Sequence, residues 1–292
     1  MAPVPAIVPL LALVAGLLSA AAAIFIRQGL RTSDPYTGFW INVVVGAVGL
    51  WTAVLVTGRL GRVSPAGLAF FALAGLIGTV GGRLTRFLAI ESVGASITSA
   101  LGNLNPLVAT GLAILLLGEH VTVPIVTGTL VITLGTILLS WGGRRIGFRP
   151  RLLVLPLISA ACFGVVSILR KLGLSDMGPV MGAAVNITAA FIAFAAFLLA
   201  SGQRTVMACR GRSLAYFVAA GLAENTGVFL NIVALGLGTV SVVTPLYGAS
   251  PIFVLLLSFF FLRGIEVLSG RVIAGTLLIV LGVYLITALS GH

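Results

Sequence analysis

Ten runs of apolar residues follow one another along this chain, with only short connections rich in Gly, Pro and Arg between them. A helix needs about 20 apolar residues to cross a bilayer, and each run has roughly that length. The first five are Ile7 to Ile26, Tyr36 to Thr57, Ala66 to Ile90, Ala95 to Leu116 and Val123 to Trp141. The second five are Leu152 to Leu169, Pro179 to Ala200, Leu214 to Leu235, Thr239 to Leu262 and Arg271 to Leu289. In lipid only helices and closed barrels satisfy every backbone polar group. The runs lack the apolar-polar alternation of barrel strands and are about twice a strand's length, which excludes the barrel. The pattern predicts an all-α polytopic membrane protein with ten transmembrane helices. Ten spans use most of the 292 residues, so no soluble domain is expected. The N-terminal stretch APVPAIVPLLALVAGLLSAAAA lacks the basic n-region of a signal peptide and is read as the first membrane helix.

The two halves repeat one another. Gly128-Thr129-Leu130-Val131-Ile132-Thr133-Leu134-Gly135 returns as Gly275-Thr276-Leu277-Leu278-Ile279-Val280-Leu281-Gly282, and Glu119 corresponds to Glu266. Gly29-Leu30, Pro35 and Asn42 correspond to Gly173-Leu174, Pro179 and Asn186; Asn105-Pro106 corresponds to Ser250-Pro251. The matches keep their order, so the chain reads as one five-helix repeat over 1–146 and a second over 147–292. An odd number of helices per unit makes the second copy enter the membrane from the opposite side, so the repeats are expected to be inverted around a central cavity. Inverted repeats of this kind build many secondary transporters, whose halves open a midplane site to each side in turn.

Other classes fit poorly. Only 8% of the residues are charged, against about 25% in a soluble domain. The net charge of +11 is spread in small groups between apolar runs rather than gathered on one solvated face, which argues against nucleic acid. Cys162 and Cys209 make no disulfide framework or metal motif. His120 and His292 have no nucleophile or metal partner nearby in sequence, and the only lysine, Lys171, follows no phosphate-loop glycine pair. The sequence therefore predicts no catalytic residues, no metal and no cofactor.

Polar residues inside the runs are the candidates for a site. Glu224 lies near the middle of the eighth run, where a carboxylate is costly and marks function by default. It is expected either to titrate a proton or hold a substrate amine, or to pair with a structural arginine. Asn225 follows it, and Asn231 shares its helix face seven residues on. In the third run Arg83 sits deep enough to grip a carboxylate or to neutralise Glu224, whereas Arg86 is expected to snorkel to the interface. The fourth and ninth runs carry prolines, and broken helices often build a midplane site. Ser99, Asn103, Pro106 and Thr110 line one face of the fourth; Thr244, Tyr247, Pro251 and Ser258 line one face of the ninth. Asn103 and Tyr247 are the cavity candidates among them. Asn42 and Asn186 suit interhelical hydrogen bonds as well as substrate contact, and Trp40 suits an interfacial anchor as well as a stacking platform. The paired glycines of the fifth and tenth runs mark a tight packing face rather than a ligand loop.

The ordered set Gly75-Leu76-Ile77-Gly78-Thr79, Phe87-Leu88-Ala89-Ile90, Gly94-Ala95-Ser96-Ile97-Thr98-Ser99-Ala100, Leu104-Asn105-Pro106-Leu107-Val108-Ala109, Leu116-Leu117-Gly118-Glu119 and Gly128 to Leu139 resembles the drug/metabolite transporter superfamily, specifically its ten-helix EamA-type members. The second copy repeats the scheme less strictly at Gly236 to Pro251 and Gly264 to Leu285, with Arg263-Gly264-Ile265 before Glu266 in place of Gly-Glu. The resemblance implies a secondary exporter of small metabolites, amino acids and among them aromatic ones, working by alternating access. Multidrug or cationic efflux is the alternative, with a channel, a scramblase or a membrane enzyme behind it. It also implies a monomer in the plasma membrane, the inner membrane of a bacterium, with proton coupling open to Glu224. Thirteen Arg residues fall in odd connections and four Arg or Lys in even ones, which places both termini outside the cytoplasm.

Overall fold

The computed structural model describes residues 7–57, 63–93, 98, 101–102, 104–140, 150–201, 211–261 and 270–288. Among them every regular element is helical: α1 (Ile7–Gly29), α2 (Pro35–Thr57), α3 (Pro65–Val93), α4 (Asn105–Leu117), α5 (Val123–Ser140), α6 (Val154–Gly173), α7 (Pro179–Ala200), α8 (Arg212–Leu237), α9 (Val240–Tyr247), α10 (Ser250–Phe261) and α11 (Gly270–Ala288). Of these, α1, α2, α3, α6, α7 and α8 are each long and apolar enough to cross a membrane. The expected spans fall on these helices, with α9 and α10 together forming the ninth. The junction expected between the repeats, at 146 and 147, lies outside the described residues, as do Cys209 and His292.

Local chemistry sets the helix ends. Pro35 and Pro65 open α2 and α3, where the missing N–H removes a donor that no turn would have used. Asp34 accepts the Thr37 amide at 2.9 Å and its hydroxyl at 2.6 Å; Ser64 accepts the Gly67 amide at 2.9 Å. Gly118, at φ 62°, stops α4 in the left-handed region open to glycine. The ninth span breaks at Gly248 and Ala249, between Pro245 inside α9 and Pro251 at the start of α10. The fourth span turns at Leu104, immediately before the matching Asn105-Pro106.

The packing obeys the repeat. The first span packs on the eighth and ninth, and the sixth packs on the third and fourth. The second and seventh pack on each other and on the eighth and third respectively; the fourth meets the ninth, and the fifth meets the tenth. Exchanging each span for its counterpart five places along leaves this pattern unchanged, as a two-fold relation requires. Direction follows from register. A Cβ at Gly128 would come within 2.8 Å of the Gly282 carbonyl oxygen, and one at Gly135 within 2.7 Å of that of Gly275. On α2 and α7, Tyr36 stacks with Phe197 and Trp40 with Phe191. Equivalent helices therefore run antiparallel, and the two units are inverted. Lipid supplies no hydrophobic drive between helices, so close backbone approach at small residues holds such pairs. The glycines of the fifth and tenth spans are that packing face.

Candidate functional site

The middle of α3 departs from α-helical geometry. Gly75–Arg83 forms a π-helix, a wide turn frequent at functional sites. Its glycines admit the neighbours: a Cβ at Gly75 would collide with the Asn186 carbonyl oxygen of α7, and one at Gly78 would come within 2.6 Å of the Val166 side chain of α6. Ser159 of α6 donates to the Gly82 carbonyl at 2.8 Å.

Beside this segment lies a polar cavity. Thr79, Arg83 and Arg86 of α3 line one wall, and Ser159, Phe163, Ser167 and Arg170, spaced along one face of α6, line another. Glu224, Val228 and Asn231 face them from α8. Thr98 and Gly102, ahead of α4, and Ser19, Asn105, Thr244, Tyr247 and Ser250 of α1, α4, α9 and α10 complete the lining. The cavity holds about 80 Å³ of free space.

Two buried polar knots stand in its walls. In the first, Arg83 Nη1 donates to Asn42 Oδ1 at 2.6 Å and to Asn225 Oδ1 at 3.3 Å, while Asn225 Nδ2 donates to the Asn42 carbonyl at 3.1 Å. Glu224 Oε1 lies 3.8 Å from Arg83 Nε and accepts from Arg86 Nη1 at 3.0 Å. One carboxylate thus serves two guanidinium groups, while its other oxygen, Oε2, is buried with no donor. In the second knot, Arg170 Nε and Nη2 donate to Asn186 Oδ1 at 3.4 and 3.2 Å, and Asn186 Nδ2 donates to Thr79 Oγ1 at 3.0 Å. These partners are neutral.

Both halves of the chain, residues 6–141 and 151–288, match the EamA-like transporter family. The chain belongs to the EamA-like transporter family. The two matched segments coincide with the two inverted units, and the family is one of membrane transporters of small molecules. No curated protein sequence matches this EamA-like chain. A crystal structure of a protein 20% identical in sequence superposes with a TM-score of 0.79 over 97% of each chain, so the two share a fold.

Of the residues singled out in this EamA-like sequence, Glu224, Arg83, Asn231 and Tyr247 line the cavity. Asn42, Asn186 and Asn225 stand behind the arginines and orient them. Trp40 lies outside the cavity lining, half-buried and stacked on Phe191 of α7 with ring centres 5.4 Å apart. Asn103, Ser99 and Glu266 fall outside the described residues. Arg86 does not snorkel away: the carboxylate of Glu224 draws it inward. Arg170 is the residue that reading the sequence missed. Its place near the end of the sixth run made it resemble a loop cation, yet it is 7% exposed. The signal was the polar stripe Ser159, Ser167 and Arg170 along one face of α6.

Proposed function

We propose that the chain is a secondary carrier that moves small polar metabolites, amino acids foremost, outward across the plasma membrane by alternating access. The observation that carries this reading is the buried charged cavity between the two inverted units, at the crossing of the broken fourth and ninth spans. A substrate carrying both charges finds a carboxylate oxygen without a donor on Glu224 and guanidinium groups across the cavity on Arg170 and Arg83. The free space of about 80 Å³ is well below the roughly 300–1,000 Å³ of ordinary ligand pockets. A metabolite enters such a cavity when the helices part, which suits a carrier and not a fixed pore. Three arginines against one glutamate also favour this reading over efflux of cations.

Contacts at one corner support alternate closure. Glu119, after α4, accepts the Val240 amide at 2.8 Å and the Ser241 amide at 3.0 Å, binding a first-repeat connection to the start of α9. Lys171 donates to the Leu235 and Gly238 carbonyls at 2.7 and 2.6 Å, at the end of α8. The repeat pairs Lys171 with Arg27, which is exposed. On this reading the α8–α9 corner is the closed end, and transport exchanges it for its counterpart. With Arg83, Arg86 and Arg170 in the cavity, eleven basic residues in odd connections face three in even ones, which keeps both termini outside.

Counterflow in proteoliposomes tests the carrier. Saturable exchange of a labelled amino acid against the same unlabelled amino acid is the expected outcome. Flux that rises linearly with concentration and shows no counterflow would replace the carrier with a channel.

A further inference from the structure

The charges around the cavity do not balance. Arg83, Arg86 and Arg170 face it, and Glu224 is the one acid among its lining residues. The chain has six acidic residues in all, and five of them lie among the described residues. Asp34 is spent on the start of α2, and Glu119 on the start of α9. Glu91 and Asp176 are exposed, and Glu266 lies outside the described residues. Glu224 is already shared between Arg83 and Arg86. Among the described residues Arg170 is left with the amide oxygen of Asn186, in a site that excludes most water.

A buried guanidinium held only by a neutral amide is expensive, because low polarity around it strengthens every uncompensated charge. The planar donor fork of arginine fits a carboxylate or phosphate with two parallel hydrogen bonds. Nε and Nη2 are turned to Asn186, which leaves the Nη1 edge of the fork for such a partner. The face of α6 that carries Arg170 also presents Ser167 to the cavity, and its hydroxyl, which donates to the Phe163 carbonyl at 3.0 Å, has only to rotate to donate to an oxyanion instead.

We infer that the cavity selects metabolites of net negative charge, and that an oxyanion of the substrate docks on Arg170 and supplies its missing counter-charge. The inference rests on the carrier reading and narrows it. An ordinary zwitterion leaves the net charge of the cavity untouched, whereas an acidic amino acid, a dicarboxylate or a phosphate ester lowers it. A donor on the same molecule, such as an ammonium group, meets Glu224 Oε2.

The test uses the purified full chain in proteoliposomes, with L-glutamate, succinate and glycerol 3-phosphate as anionic probes. L-leucine and L-phenylalanine serve as zwitterions, and L-lysine as a cation. Binding of labelled L-glutamate, succinate and glycerol 3-phosphate to the detergent-solubilised chain is measured in parallel. Saturable counterflow is expected with at least one anion, the carboxylate and phosphate probes separating the two oxyanion sources. Arg170→Gln should raise KM for that anion by about 10- to 100-fold, the range expected for losing a charge-assisted pair. Arg170→Lys should restore part of it. Asn186→Asp, which gives Arg170 a fixed counter-ion at nearly constant volume, should raise KM as well and guards against misfolding of the Arg170 variants. Exchange of zwitterions or of the cation with no anion exchanged overturns the inference and leaves the carrier standing. An anion KM unchanged in both Arg170→Gln and Asn186→Asp also overturns it. Anion binding that Arg170→Gln abolishes, without exchange of any probe, keeps the inference and rejects the carrier. Neither exchange nor anion binding rejects both.

Discussion

Asn42 and Asn186 hold the same place in the two repeats, and each cradles a buried arginine, but the arginines come from different helices and meet different surroundings. Asn42 receives Arg83 from α3, and Glu224 lies 3.8 Å from that guanidinium. Asn186 receives Arg170 from α6, and its own amide donates to Thr79. The spacing of 145 residues that joins Pro106 to Pro251 also joins Thr79 to Glu224. A hydroxyl therefore stands in one knot where a carboxylate stands in the other. Duplication kept the amide cradle and let the charge diverge. Where the knot carries its own acid it can fasten helices together; where it lacks one it stores an unmet charge.

That contrast predicts opposite effects on stability. Glu224→Gln strips from two arginines the only carboxylate that meets them among the described residues, and breaking a buried pair in this way costs about 3–5 kcal/mol. Its melting temperature in detergent should fall steeply and its transport should fail. Arg170→Gln removes a charge that no acid among the described residues offsets, so it should melt at or above the parent protein while its KM for the anion rises, as at sites that give up stability for function. An Arg170→Gln protein that melts as low as Glu224→Gln would erase the difference between the knots.

A smaller effect separates the cradles themselves. Asn42→Ala and Asn186→Ala each remove a hydrogen bond to a charged group, which is worth about 1.5–3 kcal/mol. Both should lower the melting temperature by similar amounts. Asn186→Ala should in addition raise KM, because it frees Arg170 to turn away from the cavity. Asn42→Ala should leave KM nearly unchanged, since Arg83 keeps Asn225 at 3.3 Å and Glu224. Equal KM shifts in the two variants would give the knots the same role.

The sequence carried most of the fold because a bilayer admits few solutions: apolar run lengths gave the spans, and repeated glycines and prolines gave the duplication. The pairing of Gly128 with Gly282 was implicit once the fifth and tenth runs were known to match and to run in opposite directions. The cavity was half legible. A carboxylate in mid-span singles itself out, so Glu224 could be found without coordinates. Arg170 could not be found by depth, because it lies one turn from the end of α6 and is buried by the helices packed on α6, α3 and α4 foremost, with Asn186 of α7 accepting from it. The π-helical turn of Gly75–Arg83 left no signal beyond its glycines, and Arg86 turns inward because Glu224, 138 positions later in the chain, is there to meet it.

The smallest expected effect lies at the α8–α9 corner, where charge meets backbone rather than another charge. The Glu119 carboxylate takes two amides and the Ser241 hydroxyl, at 2.7 Å, at the start of α9. A carboxylate there satisfies donors that the first turn leaves free and complements the positive end of the helix dipole. Glu119→Gln keeps the shape and one acceptor oxygen, so it should cost no more than the roughly 0.5–2 kcal/mol of a lost helix cap. Because these bonds lie a turn before Thr244 and outside the cavity lining, the variant should alter the maximal rate of counterflow and leave KM as it was. A KM shift comparable to that of Arg170→Gln would make the corner part of the binding site, and the contrast between a closing contact and a docking charge would have to be redrawn.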